Sequence, residues 1–290
     1  MLRTGPAGSR NYGRHVHVDF YATPGPLTNL TDEQRVLLDR LGADPTSLCL
    51  AAQHLLISPG DSFGAGLSSQ QMAERNTRHA SALLQRALEL DDGPLDRPRP
   101  VQHRVVGTCR HYTVLATAFL RAAGIPARAR SGFATYFVPS KAVDHWIVEH
   151  WSAGQQRWVR TDAEILDRAR PGQAAHPADL QPGEFLTAGE AWSLVRSGER
   201  DAADFGVTGT ENWGPGEIRG NAMRDLASLA RKIEMLPWDE WGPMADSYAN
   251  TTGDDFDGLI DRLALAARDG DEPELQHLYE QLAVPDGMIR

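Results

Sequence analysis

The stretch "GTCRHYTVLATAFLRAAGIPARARSGF", Gly107–Phe133, changes its hydrophobic period once, and that change decides the fold. Leu115, Ala118, Phe119 and Ala122 recur at helical spacing. Thr108 suits the N-cap. Gly124 suits the left-handed position just past the helix end, and Pro126 prevents continuation. From Ala127 the pattern becomes that of strands. "ARARSGFATYFV" (127–138), "HWIVEHW" (145–151) and "RWVRTDAEI" (157–165) read as strands separated by turns. One buried helix followed by successive strands predicts an α+β fold rather than alternating βαβ units.

Upstream, "HVHVDFY" (15–21) alternates like a short strand. Thr31 opens "TDEQ", the spacing of a capping box. Asp44-Pro45 reads as an N-cap with proline in the first turn, for a helix to about residue 56. A third helix is expected over 69–90. Downstream, helical patterns cover 188–197, 216–235, 256–268 and 273–283. The chain therefore divides into N-terminal helices (1–95), a helix-and-sheet core (96–185) and a C-terminal helical region (186–290).

Composition narrows the function. The net charge of −10 argues against a general nucleic-acid partner. Neither a secretory signal nor an apolar run of membrane length is present, so a cytoplasmic protein with no membrane partner is expected. Of 29 basic residues only Lys141 and Lys232 are lysine, the bias of a GC-rich bacterial genome. Two cysteines cannot build a disulfide framework. Cys49, inside "PTSLCLAAQHLLI", reads as a small core residue.

Cys109 is different. With Thr108 as the cap it sits in the first helical turn, where free N–H groups and the dipole favour the thiolate. A nucleophilic thiol needs a base, and the base an orienting group. The strands that follow supply His145 in "VDHWIVEH" and Asp162 in "RWVRTDAE". Asp144 and Glu149 rank below Asp162 as the orienter. Asp144 neighbours His145 and should face the opposite way, and Glu149 lies two same-face steps along the strand. Cys109, His111 and His103 fit no common zinc spacing. No metal or organic cofactor is called for.

This order resembles the transglutaminase-like superfamily of cysteine enzymes. Gly107-x-Cys109, the small and apolar helix and Gly-Ile-Pro-Ala-Arg look like its nucleophile segment. "DHWIVEHW" looks like its histidine strand, and "QQRWVRTDAE" like the segment ending in its aspartate. Ala163 stands where that family commonly has proline. The resemblance implies a papain-related core, one nucleophile helix packed on an antiparallel sheet, with helical additions at both ends. It implies Cys109, His145 and Asp162 as the catalytic set. The implied activity is acyl transfer from an amide or thioester, by a peptidase or amidase when water accepts and an acyltransferase when an amine does. A peptide, protein or acyl-thioester is the implied substrate. An inactive fold that binds proteins or peptides is the alternative.

The remaining readings stay two-sided. The Cys109 N–H is one oxyanion donor, and Gln102, His103 or the N-terminal segment offers a second. His111 lines the rim or packs in the core. Trp238 and Trp241 in "MLPWDEWGPM" cover the cleft or anchor a helix, and Trp146 follows His145 directly. Residues 97–143 hold seven arginines and Lys141 with no acid. They either create a positive field that draws an anionic acyl donor or pair with acidic helices such as "TTGDDFDGLIDR".

Overall fold

The computed structural model describes residues 18–167, 174 and 176–282. The expected strand at 15–21 is not formed where it is described: residues 18–20 are a helical turn, and 15–17 lie outside the described residues.

Helix α1 (Asp32–Leu38) begins at the Thr31 capping box, and α2 (Pro45–Leu55) begins at Asp44, whose carboxylate accepts from the Ser47 N–H. β1 (Leu56–Ile57) runs parallel to β2 (Val105–Val106). The single helix expected over 69–90 is broken into α3 (Ser69–Ala73), a 3₁₀ turn and α4 (Ala80–Leu90). Extended Thr77 and His79 separate the two.

α5 (Cys109–Ala122) is the buried helix. It ends as its residues dictate: Gly124 is left-handed (φ 74°) and the Ile125 N–H returns to the Leu120 carbonyl at 2.9 Å. Leu115 and Phe119 share one buried cluster with Leu48 and Leu55 of α2 and Leu84 of α4. Each such burial contributes about 1.5–3 kcal/mol. The Arg121 guanidinium donates to Thr28 Oγ1 and to the Ala127 and Tyr21 carbonyls, tying the helix end to the strand that follows.

β3 (Ala127–Ala134), β4 (Ala142–Ser152) and β5 (Arg157–Thr161) form an antiparallel meander. β6 (Phe185–Thr187) extends it beyond β3, and β7 (Phe205–Gly206) pairs parallel with the start of β4. These two short strands carry too few residues for an alternating pattern to appear. All eight residues of β3 are buried, Arg128 and Arg130 included. Glu149 accepts from Arg128, Arg130 and Arg160, and Asp225 takes the other face of Arg130 at 2.8–2.9 Å. The Arg130–Asp225 pair clamps helix α7 (Pro215–Leu229) to the sheet.

Around α7 lie α6 (Ala188–Arg196), α8 (Met244–Tyr248), α9 (Asp254–Asp269) and α10 (Glu272–Gln281). They share one core with Phe133 and Ala142 of the sheet. α7 stops earlier than the expected residue 235, because Arg231 takes a positive φ of 56° and turns the chain. The fold is α+β, an antiparallel sheet with one helix-rich layer formed from each end of the chain. No helix among the described residues is long and apolar enough to cross a membrane.

Candidate active site

α5 presents Cys109 at its N-terminus, partly exposed. The cap ahead of it is reciprocal. The Thr108 N–H donates to His111 Nδ1 at 3.0 Å, so the third residue of the helix closes the turn that carries the thiol. His111 is fully buried in this role, and burial with the nearby Arg110 lowers its pKa to about 3. It is a neutral capping group and does not line a rim.

β4 carries His145 opposite Gly132 of β3. Gly132 is required there: a Cβ would fall on the Leu186 carbonyl and within 2.8 Å of Thr187 Cα, prising β6 away. β5 leaves the ladder at Thr161, opposite Val148, and heads toward His145. Asp162 is the next residue. It is fully buried, and its Oδ2 lies 2.8 Å from His145 Nε2. The Tyr136 hydroxyl donates to the same oxygen at 2.5 Å, and the Glu164 N–H to Oδ1 at 3.0 Å. Its own N–H is held by the Pro177 carbonyl at 2.8 Å. Since Nε2 is engaged, Nδ1 is the His145 nitrogen left to face the thiol. Phe137 packs edge-on against the imidazole, centroids 5.0 Å apart.

The electrostatics follow from burial and neighbours. Burial opposes the charged imidazole, but the Asp162 carboxylate, its hydrogen bond and the Cys109 contact outweigh that and raise His145 well above its ordinary value. Burial works against Asp162 ionisation too, yet His145 and Tyr136 keep Asp162 low. Tyr136, raised by burial and by Asp162, stays a proton donor. Burial pushes the Cys109 thiol up, and the His145 hydrogen bond and charge pull it down. Glu164 and Asp144 push it up again, and burial prevails: the thiol stands above its ordinary value, against the lowering expected from the helix terminus.

Glu164 is the residue that sequence reasoning passed over. Its carboxylate, Cys109 Sγ and a His145 ring nitrogen all lie within 4.8 Å of one another. The signal was its position two residues after Asp162, in a segment that turns back once the ladder ends. Neither rival orienter hydrogen-bonds His145 among the described contacts. Glu149 is held by its three arginines, and Asp144 lies beside Glu217, which burial and Asp144 raise to about 7 against the pull of Arg224.

Other expected contacts fall in varied places. Trp146 is buried in the sheet, on the side away from His145 by strand alternation. Trp241 is core, packed on Tyr279 with centroids 5.6 Å apart. Trp238 is half exposed, under the Arg75 guanidinium. Gln102 is exposed, His103 lies 3.5 Å from Asp91, and the N-terminal segment up to residue 17 lies outside the described residues. The arginines of 97–143 do not surround the thiol. Arg97 pairs with Asp91, Arg110 with the Glu234 and Thr77 carbonyls, Arg128 and Arg130 with Glu149 and Asp225. The "TTGDDFDGLIDR" helix pairs instead with Arg219 and Arg196. The charges felt by the thiol are those of His145, Glu164 and Asp144. A large pocket of about 830 Å³, lined by Arg128, Trp158, Arg160 and Glu190 among others, contains neither Cys109 nor His145.

With helix, base and carboxylate in this arrangement, residues 70–163 match the profile of the transglutaminase-like superfamily. Residues 70–163 are a transglutaminase-like domain. That domain spans α3 through the turn after β5, so it contains Cys109, His145 and Asp162. A solved structure similar to this chain is that of a provisionally named cysteine protease from Cytophaga hutchinsonii, at 18% identity and a TM-score of 0.33. The match covers 51% of this chain and 42% of that one, so the chain spans under half the length of the neighbour. No curated protein matches the chain.

Proposed function

We propose that the protein is a cysteine-dependent acyl-transfer enzyme that cleaves an amide or thioester through an acyl-enzyme on Cys109. The observation that carries this reading is the placement of His145 between the thiol and a buried carboxylate, with Nε2 fixed on Asp162. Cys109 Sγ attacks the substrate carbonyl, and its proton resides on His145. The oxyanion accepts the Cys109 N–H, aligned by the first turn of α5. His145 then gives its proton to the departing amine or thiol. In the second half His145 takes a proton from the incoming water or amine, that nucleophile attacks the thioester, and Sγ leaves. Asp162 stays ionised and holds the imidazolium throughout.

The substrate is a peptide, protein or acyl-thioester. The test is intact-mass trapping of the acyl-enzyme on a thioester panel, followed by partition between water and added amines. Acylation of the wild type with none on Cys109→Ser is the expected result. Iodoacetamide supplies a control within the same chain. Burial pushes Cys49 to about 12, so at pH 8 its thiolate fraction is only about 10⁻⁴. Cys109 should label far faster. Equal labelling of the two, with no acylation, would leave an inactive binding fold.

A further inference from the structure

We infer that the thiol end of α5 is also a binding site for a soft divalent cation of the Zn²⁺ type, held by Cys109, His145 and Glu164. Three donors of different kinds converge there: a sulfur, an imidazole nitrogen and a carboxylate oxygen, all within 4.8 Å of one another. Zinc bonds of about 2.0–2.3 Å place tetrahedral ligand atoms roughly 3.3–3.8 Å apart, so the three need to close by only about an ångström. Glu164 and Cys109 are both partly exposed, which gives the ion an entry path and leaves a fourth position for water. The outer shell is already in place. His145 donates through Nε2 to Asp162, which fixes the ring with Nδ1 toward the ion. Asp162 is itself held by Tyr136 and by the Glu164 N–H. A carboxylate behind the imidazole is the arrangement that raises ligand basicity and orients the ring at zinc sites.

Binding is balanced by proton release. The metal takes the place of the proton shared by Sγ and Nδ1, which leaves to solvent, so affinity rises with pH. The sulfur selects Zn²⁺ or Cd²⁺ over Mg²⁺ and Ca²⁺, which prefer oxygen donors. The consequence is a reversible block: while the ion is bound, its charge makes the sulfur a weaker nucleophile and the ion itself occupies the space a carbonyl would enter. Glu164 also pushes the thiol up, so the effect of the ion on each Glu164 variant is read as the ratio of that variant's own labelling rates with and without Zn²⁺.

The experiment uses the whole chain with ZnCl₂ and CdCl₂ as probes. Excess Zn²⁺ should slow iodoacetamide labelling of Cys109 at least about tenfold, and a chelator should restore it. Cd²⁺ should give a thiolate-to-metal charge-transfer absorption that is absent in Cys109→Ser. Glu164→Gln should weaken both effects by about tenfold or more, the scale on which ligand-shell changes alter metal affinity. Glu164→Asp serves if the glutamine variant does not fold. Labelling that ignores Zn²⁺, or a Glu164 variant that binds as tightly as the wild type, overturns the inference. Neither assay contains a substrate. Loss of the acyl-enzyme with retained Zn²⁺ protection therefore refutes the proposed function alone, and the converse refutes this site alone.

Discussion

Replacing Asp162 by Asn keeps an acceptor for His145 and removes its charge. Nε2 and Oδ2 are 2.8 Å apart and both side chains are buried. With charge centres about 4 Å apart and an effective dielectric near 20, the lost attraction is about 4 kcal/mol, or roughly three pH units on His145. Part is recovered, because the Asn amide oxygen still accepts from Nε2 and orients the ring. A drop of about one to three units is therefore expected. The sign is fixed: His145 is raised in the native protein, so the variant binds its proton less tightly and the thiolate loses its counter-ion. Cys109 alkylation followed from pH 5 to 10 reads this directly. The Asp162→Asn profile should move to higher pH, with labelling at pH 6 slowed about 10- to 1,000-fold and little change near pH 10. Glu164→Gln should move it the other way, since that carboxylate pushes the thiol up. An Asp162→Asn midpoint within about 0.3 unit of the wild type refutes the charge argument. The same shift in both variants would do so as well.

Other perturbations test the scaffold. Gly132→Ala should cost about 1–3 kcal/mol in urea unfolding and lower acylation, because its Cβ displaces β6 directly across from His145. An unchanged midpoint would mean that β6 yields without disturbing β4. Glu149→Gln should cost about 3–5 kcal/mol, since three buried or half-buried arginines lose their common carboxylate. Burial opposes Glu149 ionisation, but those arginines hold it well below the usual carboxylate range. Its contribution is therefore present above its unfolded value near 4.5 and is lost as pH falls through the folded one. The wild type should lose more stability than Glu149→Gln as pH falls below about 4.5.

Much of the site was legible because its cues are local. The cap, the helical period and Gly124 define α5 within one short stretch, and the change to alternation marks the meander that follows. Cys109, His145 and Asp162 then come together because antiparallel register carries successive strand ends to the same helix terminus. Periodicity reports that a face is buried, but not what it faces. That is why Trp241, readable as a cleft residue, is core, and why His111 is a cap. The partners of charged groups are decided over long separations: Arg130 meets Asp225 from 95 residues away, and Arg110 meets the Glu234 carbonyl from 124. The arginine-rich segment that suggested a positive thiol places its side chains on carboxylates and backbone carbonyls elsewhere in the fold. The sequence by itself determined the helix, its stop and the strands, because those depend on neighbours a few residues apart. Only the tertiary structure decided that the thiol sits among carboxylates, because Glu164 reaches it once the turn after β5 closes against the start of α5, and Asp144 once β4 packs beside that helix.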